Sequence, residues 1–142
     1  MTDTVRIGII GLGKMGMIRA QEVEKHPAAE LIGGFDPGPA HFAERYPRAV
    51  RFGSAEELLR SDVDAVFVCT PNRFTPGAVT AALDAGKHVV CEKPPVRTLR
   101  DIQDIIAAER RNPGLKNTFG IHHRYHGGIQ DAKRIVVSGR LG

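Results

Sequence analysis

The sequence contains no tryptophan, and only 6% of its 142 residues are aromatic. Platforms on which bases could stack are correspondingly scarce. Basic charge is dispersed as well: 20 Lys and Arg against 16 Asp and Glu leave +4, and no block of five or six basic residues occurs. Such a balance suits an anionic small ligand and argues against a nucleic-acid partner. Of two cysteines, Cys69 and Cys91, neither has metal-ligand spacing and each ends an apolar run, which reads as a pair of reduced core thiols. No apolar run reaches membrane-spanning length. The first apolar segment carries Asp3 and Arg6 and lacks a small-residue cleavage site, so a cytoplasmic chain without a membrane partner is expected. Neither Tyr46 nor Tyr125 has a lysine four residues on, which excludes the Tyr-x-x-x-Lys centre of a short-chain dehydrogenase. There are no repeats and no low-complexity segments. What remains is one domain's worth of ordinary globular composition, 42% hydrophobic and 25% charged.

Within it, Val5 to Gly16 reads as an apolar strand that breaks into Gly11, Gly13 and Gly16 at the spacing G-x-G-x-x-G and then turns helical. Gly11 permits a tight turn, Gly13 lets the backbone approach a pyrophosphate, and Gly16 lets the helix pack on the strand. The anion would sit at the helix N-terminus, so Lys14 and Met15, which open the helix, join Gly11 and Gly13 as cofactor-binding candidates. Support comes from Asp36, 25 residues after Gly11, at the end of a second strand-like run. A carboxylate there accepts hydrogen bonds from adenosine ribose hydroxyls. Asp36-Pro37-Gly38-Pro39 is also a strong turn signal, and both roles are compatible. No Arg or Ser follows Asp36, and a carboxylate repels a 2′-phosphate, so NAD is favoured over NADP.

The rest of the chain alternates strand and helix. Helices are expected over Met15 to His26, with Met15, Ile18 and Val23 toward the sheet, over Ala40 to Tyr46, and over Ala55 to Arg60, where Ser54 and Glu57 form a capping box. Val63 to Cys69 reads as a buried parallel strand. Thr75 as cap and Pro76 at the first position start a helix that Gly86 stops. A strand over His88 to Cys91 follows, then a helix over Leu99 to Arg111 with Leu99, Ile102, Ile105 and Ile106 as its apolar stripe. Lys116 to Ile121 forms a last strand, and Gly128 to Ser138 a last helix. This pattern predicts an α/β fold with a doubly wound parallel sheet of about six strands. One domain spans 1–121, and 122–142 reads as the start of a connection.

Between Cys69 and Pro94 the chain reads Cys69-Thr70-Pro71-Asn72, then Ala85-Gly86-Lys87-His88-Val89, then Glu92-Lys93-Pro94. This closely resembles the Gfo/Idh/MocA family, relatives of glucose-fructose oxidoreductase and inositol dehydrogenase, and the resemblance extends to Gly120 to Tyr125. It implies a Rossmann-type cofactor domain and a catalytic or substrate-orienting role for Lys93. It also implies a cis Lys93-Pro94 bond, and cofactor contacts from Thr70, Pro71, Asn72, Glu92 and Lys93. The polyhydroxylated substrate and the proton-transfer His or Tyr would belong to a second α/β domain absent from these residues. One departure is visible: Thr75 stands where many members have His. Independently of the family, a lysine at the C-terminal end of a strand in a doubly wound sheet lies in the ligand crevice, where its ammonium can bond a substrate oxygen. Glu92 is expected to orient it. His122 and Arg124 are candidates for substrate contact. Neighbouring His122 and His123 on an extended chain would point apart, so no metal site is expected.

Three readings follow: the cofactor half of an NAD-dependent oxidoreductase, a stand-alone NAD-binding scaffold, and a methyltransferase using the same glycine turn. The last leaves Glu92-Lys93-Pro94 unexplained. Without a second domain, the outer edge of the last strand and the face carrying Ile129, Ala132 and Val136 would be uncovered, and self-association into a homo-oligomer is expected.

Overall fold

Strand β1 (Val5–Ile10) is the centre of the molecule, its Ile7, Ile9 and Ile10 buried and its neighbours paired on both sides. The computed structural model describes residues 4–38 and 41–141. After β1 come α1 (Lys14–Lys25), β2 (Ala29–Phe35), α2 (Phe42–Arg45), β3 (Val50–Arg51), α3 (Ala55–Arg60) and β4 (Ala65–Val68). Then follow α4 (Thr75–Asp84), β5 (His88–Cys91), α5 (Leu99–Arg111), β6 (Asn117–Phe119), a 3₁₀ turn over His122–Tyr125, and α6 (Gly127–Val137). The six strands are all parallel in the order β3-β2-β1-β4-β5-β6. Strand order reverses between β1 and β4, and a crevice opens there beyond the carboxyl ends of the strands.

Both faces of the sheet are covered. On one, Ile9 packs with Ala20 of α1, Phe42 and Tyr46. On the other, Ile10, Val66, Val68, Val89 and Cys91 meet Leu58 and Leu59 of α3, Val79 and Leu83 of α4, and Ile105 and Ala108 of α5. This is why β4 and β5 read as continuous apolar runs rather than alternating ones.

Several local expectations are corrected. Ile18 of α1 is 37% exposed; the buried line is Gly16, Ala20 and Val23, whose small first members let the helix lie close to β1. On α5 the buried residues are Ile105 and Ala108, whereas Leu99 (73%) and Ile106 (38%) face outward, so the apolar stripe is narrower than predicted. Thr75 is the first residue of α4, not its cap. The Glu57 carboxylate accepts from Gly53 N–H rather than from Ser54, while the Ser54 hydroxyl accepts from Glu57 N–H as expected. Strand β3 was not anticipated, because it is two exposed residues long. The start of the predicted helix at Ala40 lies outside the described residues. All residues of α6 and its preceding turn are exposed, Ile129 and Val136 included.

Candidate cofactor site

The turn between β1 and α1 is fixed by steric demands inside the chain. Gly11 sits at φ +94°, and a Cβ there would lie 2.7 Å from the Cys69 carbonyl. At Gly16 a Cβ would lie 2.0 Å from Gly11 O, so any side chain would force α1 off the turn. Gly13 is different. Its φ of −67° suits any residue, and a Cβ would meet no atom within 4 Å. The chain itself makes no demand for glycine at 13; the space beside it is open for a ligand to press against the backbone. Gly13 is also the N-cap of α1, without a side-chain cap and with no acidic residue in the first turn. The leading N–H groups of α1 therefore lack intrahelical acceptors and present the positive end of the helix dipole.

Asp36 closes this turn from the end of β2. Its Oδ2 accepts from Leu12 N–H at 2.8 Å and its Oδ1 from Gly38 N–H at 2.8 Å. The carboxylate thus holds the glycine turn and its own turn together, and each oxygen keeps a second lone pair for a further donor. Gly11, Asp36, Thr70 and Pro71 converge on one cleft of 440 Å³ whose walls include Ile10, Phe35, Phe74 and Ala78. Apolar walls with a carboxylate at one end suit a flat aromatic base joined to a hydroxylated sugar. Phe74 is 53% exposed at the mouth, with the Arg73 guanidinium 4.5 Å from its ring centre. No periodicity marks Phe74 in the sequence, since it is the cap residue just before α4.

Thr75 takes a structural part. The residue is 1% exposed, and its hydroxyl lies 3.0 Å from the Thr70 hydroxyl and donates toward Thr70 O at 3.1 Å, pinning the loop that follows β4. Asn72 lies half-buried in that loop without lining the cleft, and Lys14 and Met15 begin α1 outside its lining.

At the end of β5 the expected pairing of Glu92 with Lys93 is not made. Glu92 follows Val90 onto the α1 face of the sheet, and Arg19 Nε donates to its Oε1 at 2.7 Å, with Arg19 Nη2 also bonded to it. Consecutive residues leaving a strand point to opposite sides, so the carboxylate is turned from the ammonium. The carboxylate's partner is Arg19 of α1, which no sequence spacing connects to Glu92. Lys93 is exposed and its ammonium hydrogen-bonds nothing among the described residues. The Lys93-Pro94 bond is cis.

His122 and Arg124 line a second pocket, of 420 Å³, with Arg19, Phe67, Val90 and Phe119. The backbone there is a 3₁₀ turn rather than extended, and the His122 and His123 rings stack at 4.7 Å instead of pointing apart. His122 Nδ1 lies 3.0 Å from Gly120 O. Burial pushes the Cys69 and Cys91 thiols up to about 12, with the Glu92 charge adding to the effect.

Comparison with known proteins agrees with this geometry. The model of the oxidoreductase family with an NAD-binding Rossmann fold, Gfo/Idh/MocA, matches residues 5–116. A 1-carboxy-3-chloro-3,4-dihydroxycyclo hexa-1,5-diene dehydrogenase of Comamonas testosteroni is 34% identical, over 97% of this chain and 36% of its own length. Inositol 2-dehydrogenase of Salmonella typhimurium is 30% identical, over 98% of this chain and 43% of its own. Among solved structures, scyllo-inositol dehydrogenase from Lactobacillus casei with bound NAD(H) and scyllo-inositol superposes with a TM-score of 0.89 at 30% identity, covering 99% of this chain and 43% of that one. The chain thus spans about two fifths of the length of these relatives. With the family's fold, glycine turn and Glu92-Lys93-Pro94 all in place, the chain belongs to the Gfo/Idh/MocA oxidoreductases and forms their NAD-binding Rossmann fold.

Proposed function

We propose that this chain is the cofactor-holding part of an NAD-dependent oxidoreductase that moves hydride to or from a carbinol carbon of a sugar, cyclitol or related polyhydroxylated compound. The observation that carries the reading is the Asp36 carboxylate, which lies at the end of the cleft and is tied to the glycine turn through Leu12 N–H. There it accepts from the adenosine ribose hydroxyls and repels a 2′-phosphate, so NAD is preferred to NADP. The cofactor held there would supply or take the hydride. The backbone at Gly11, Gly13, Lys14 and Met15 holds the pyrophosphate, and Thr70, Pro71, Asn72 and Glu92 border the cofactor farther along the crevice. Arg19 keeps the Glu92 carboxylate in place.

Lys93 is the catalytic residue: its ammonium bonds the substrate oxygen as charge grows or fades there. His122 and Arg124 contact the substrate from beyond β6. These groups make one wall of a substrate site. Hydride transfer also needs the carbinol held over the nicotinamide and a base for its proton, and positioning of that kind is worth about 7 to 11 kcal/mol. The opposite wall and that base are assigned to the part of the longer relatives that these 142 residues do not cover.

Calorimetric titration tests the first half of this reading: NADH binds, NADPH binds distinctly more weakly, and equal or tighter NADPH binding would refute the assignment of Asp36. For the second half, the chain is mixed with NAD and a panel of polyols, aldoses and nucleotide sugars, and NADH absorbance is followed. No saturable turnover is expected. Turnover that Lys93→Ala abolishes would show that these residues suffice alone.

A further inference from the structure

Sequence order offers no cation beside Asp36, yet the fold brings one there from another strand. Arg51 of β3 pairs in register with Gly34 of β2, and its side chain runs past the end of β2 to the Asp36 turn. Its Nη2 donates to Gly38 O at 2.8 Å and lies 3.4 Å from Asp36 O. Asp36 Oδ1 meanwhile accepts from Gly38 N–H. The peptide groups of one residue, Gly38, are therefore gripped by a carboxylate on one side and a guanidinium on the other. The two charges do not pair: among the described residues no carboxylate oxygen lies within 4.0 Å of Arg51. Arg51 is exposed, and among the described residues its hydrogen bonds are made from Nη2, to the backbone of the Asp36–Gly38 turn.

We infer that Arg51, which stands on the Asp36–Gly38 turn just outside the residues lining the cleft, is a 2′-phosphate-accepting side chain, so that the Asp36 end of the site carries a latent NADP site which Asp36 holds in check. The inference rests on the dinucleotide reading above and adds to it. A ribose bonded to the Asp36 carboxylate would bring its 2′-oxygen to the residue whose backbone turn also carries the Arg51 guanidinium. A 2′-phosphate carries about −1.5 to −2 charges at neutral pH and matches the planar fork of an arginine. Repulsion from Asp36 and attraction to Arg51 then oppose each other, and the cofactor preference is a difference between two neighbouring charges rather than an outright exclusion.

The experiment is calorimetric titration of the whole chain with four probes, NADH, NADPH, ADP and adenosine 2′,5′-bisphosphate, at low salt. Wild type, Arg51→Gln, Arg51→Lys, Asp36→Asn and the Asp36→Asn/Arg51→Gln pair are compared. Arg51→Gln is expected to weaken NADPH and the 2′,5′-bisphosphate by about tenfold to a hundredfold while NADH and ADP stay within about twofold, as loss of charge-assisted bonds to the phosphate alone requires. Arg51→Lys recovers part of that loss. Asp36→Asn makes NADPH the tighter dinucleotide, and adding Arg51→Gln removes the gain. Equal weakening of all four probes would mean that Arg51 only braces the turn, and unchanged NADPH binding would mean that it touches no phosphate; either overturns the inference. If NADH and ADP fail to bind wild type, the dinucleotide reading itself falls, and this inference falls with it.

Discussion

Replacing Asp36 by alanine separates the turn-holding part of its carboxylate from the ribose-binding part proposed for it. In the chain without cofactor, Asp36 accepts from Leu12 N–H and Gly38 N–H, both at 2.8 Å. Asp36→Ala orphans both donors. An unpaired N–H costs about 1 to 3 kcal/mol when water is kept away. Asp36 is half-buried, so water reaches the orphaned groups and the low end applies, about 1 to 2 kcal/mol for the pair together. The second loss appears only on binding, where the hydrogen bonds from ribose to a charged acceptor disappear; at about 1.5 to 3 kcal/mol, NADH affinity falls roughly tenfold to a hundredfold. Urea unfolding without cofactor reads the first quantity, and calorimetric titration reads the second. The NADPH affinity falls less, because the repulsion vanishes with the bonds, and the gap between the two cofactors narrows. Lost stability with unchanged NADH affinity would show Asp36 to be a turn residue and nothing more.

Glycines 13 and 16 should respond oppositely. Gly16→Ala drives a Cβ into Gly11 O and should destabilise the chain by about 1 to 3 kcal/mol or more in urea, whereas Gly13→Ala meets no atom, changes stability by less than about 1 kcal/mol and still weakens NADH at least about tenfold. A stable Gly16→Ala chain with full NADH affinity would refute the packing argument. Acid sensitivity should centre on Asp64, whose carboxyl is lowered to about 2 by hydrogen bonds from the Arg6 side chain and backbone. Because the folded value is depressed, the stabilisation is present above the ordinary carboxylate range near pH 4 and is lost as pH falls through about 2. Urea titrations from pH 5 to 2 should show a decline that Asp64→Asn flattens. Thiol reagents at pH 8 should leave Cys69 and Cys91 unmodified until the chain unfolds, since burial keeps both as thiols; rapid native labelling would contradict the packing around β4 and β5.

The elements that sequence pattern revealed best are those whose local chemistry and tertiary role agree. Helix α3 begins at the residue after Ser54, β5 spans His88–Cys91, and α5 runs Leu99–Arg111, each with the predicted bounds, because caps, apolar runs and stops are written in neighbouring residues. Where the sheet supplies the order, pattern fails. Strand β3 exists only because Gly33 and Gly34 of β2 offer an open edge to Val50 and Arg51; both residues are exposed, so no hydrophobic signal marks them. The inward line of α1 departs from apolar size for a related reason: Ile18 is large, but close approach to β1 selects Gly16 and Ala20.

At the site the same division decides what could be read. Gly11, Gly16 and Asp36 are legible because a tight turn and a close helix approach impose fixed residue types at fixed spacing along the chain. Partners brought by the fold carry no such spacing. Arg19 reaches Glu92 across 73 positions, Thr75 turns its hydroxyl back into the Thr70 loop, and Arg51 arrives at Gly38 from β3. The expectation that nothing near Asp36 attracts a 2′-phosphate was drawn from the residues that follow Asp36 in order. In the folded chain a cation reaches the Asp36 turn from 15 positions later and from a different strand. A cofactor preference inferred from the residue at the end of β2 is therefore incomplete whenever β3 lies at the edge beside it. There an exposed side chain of β3 is held against the end of β2 by the sheet register, as Arg51 is held against the Asp36–Gly38 turn.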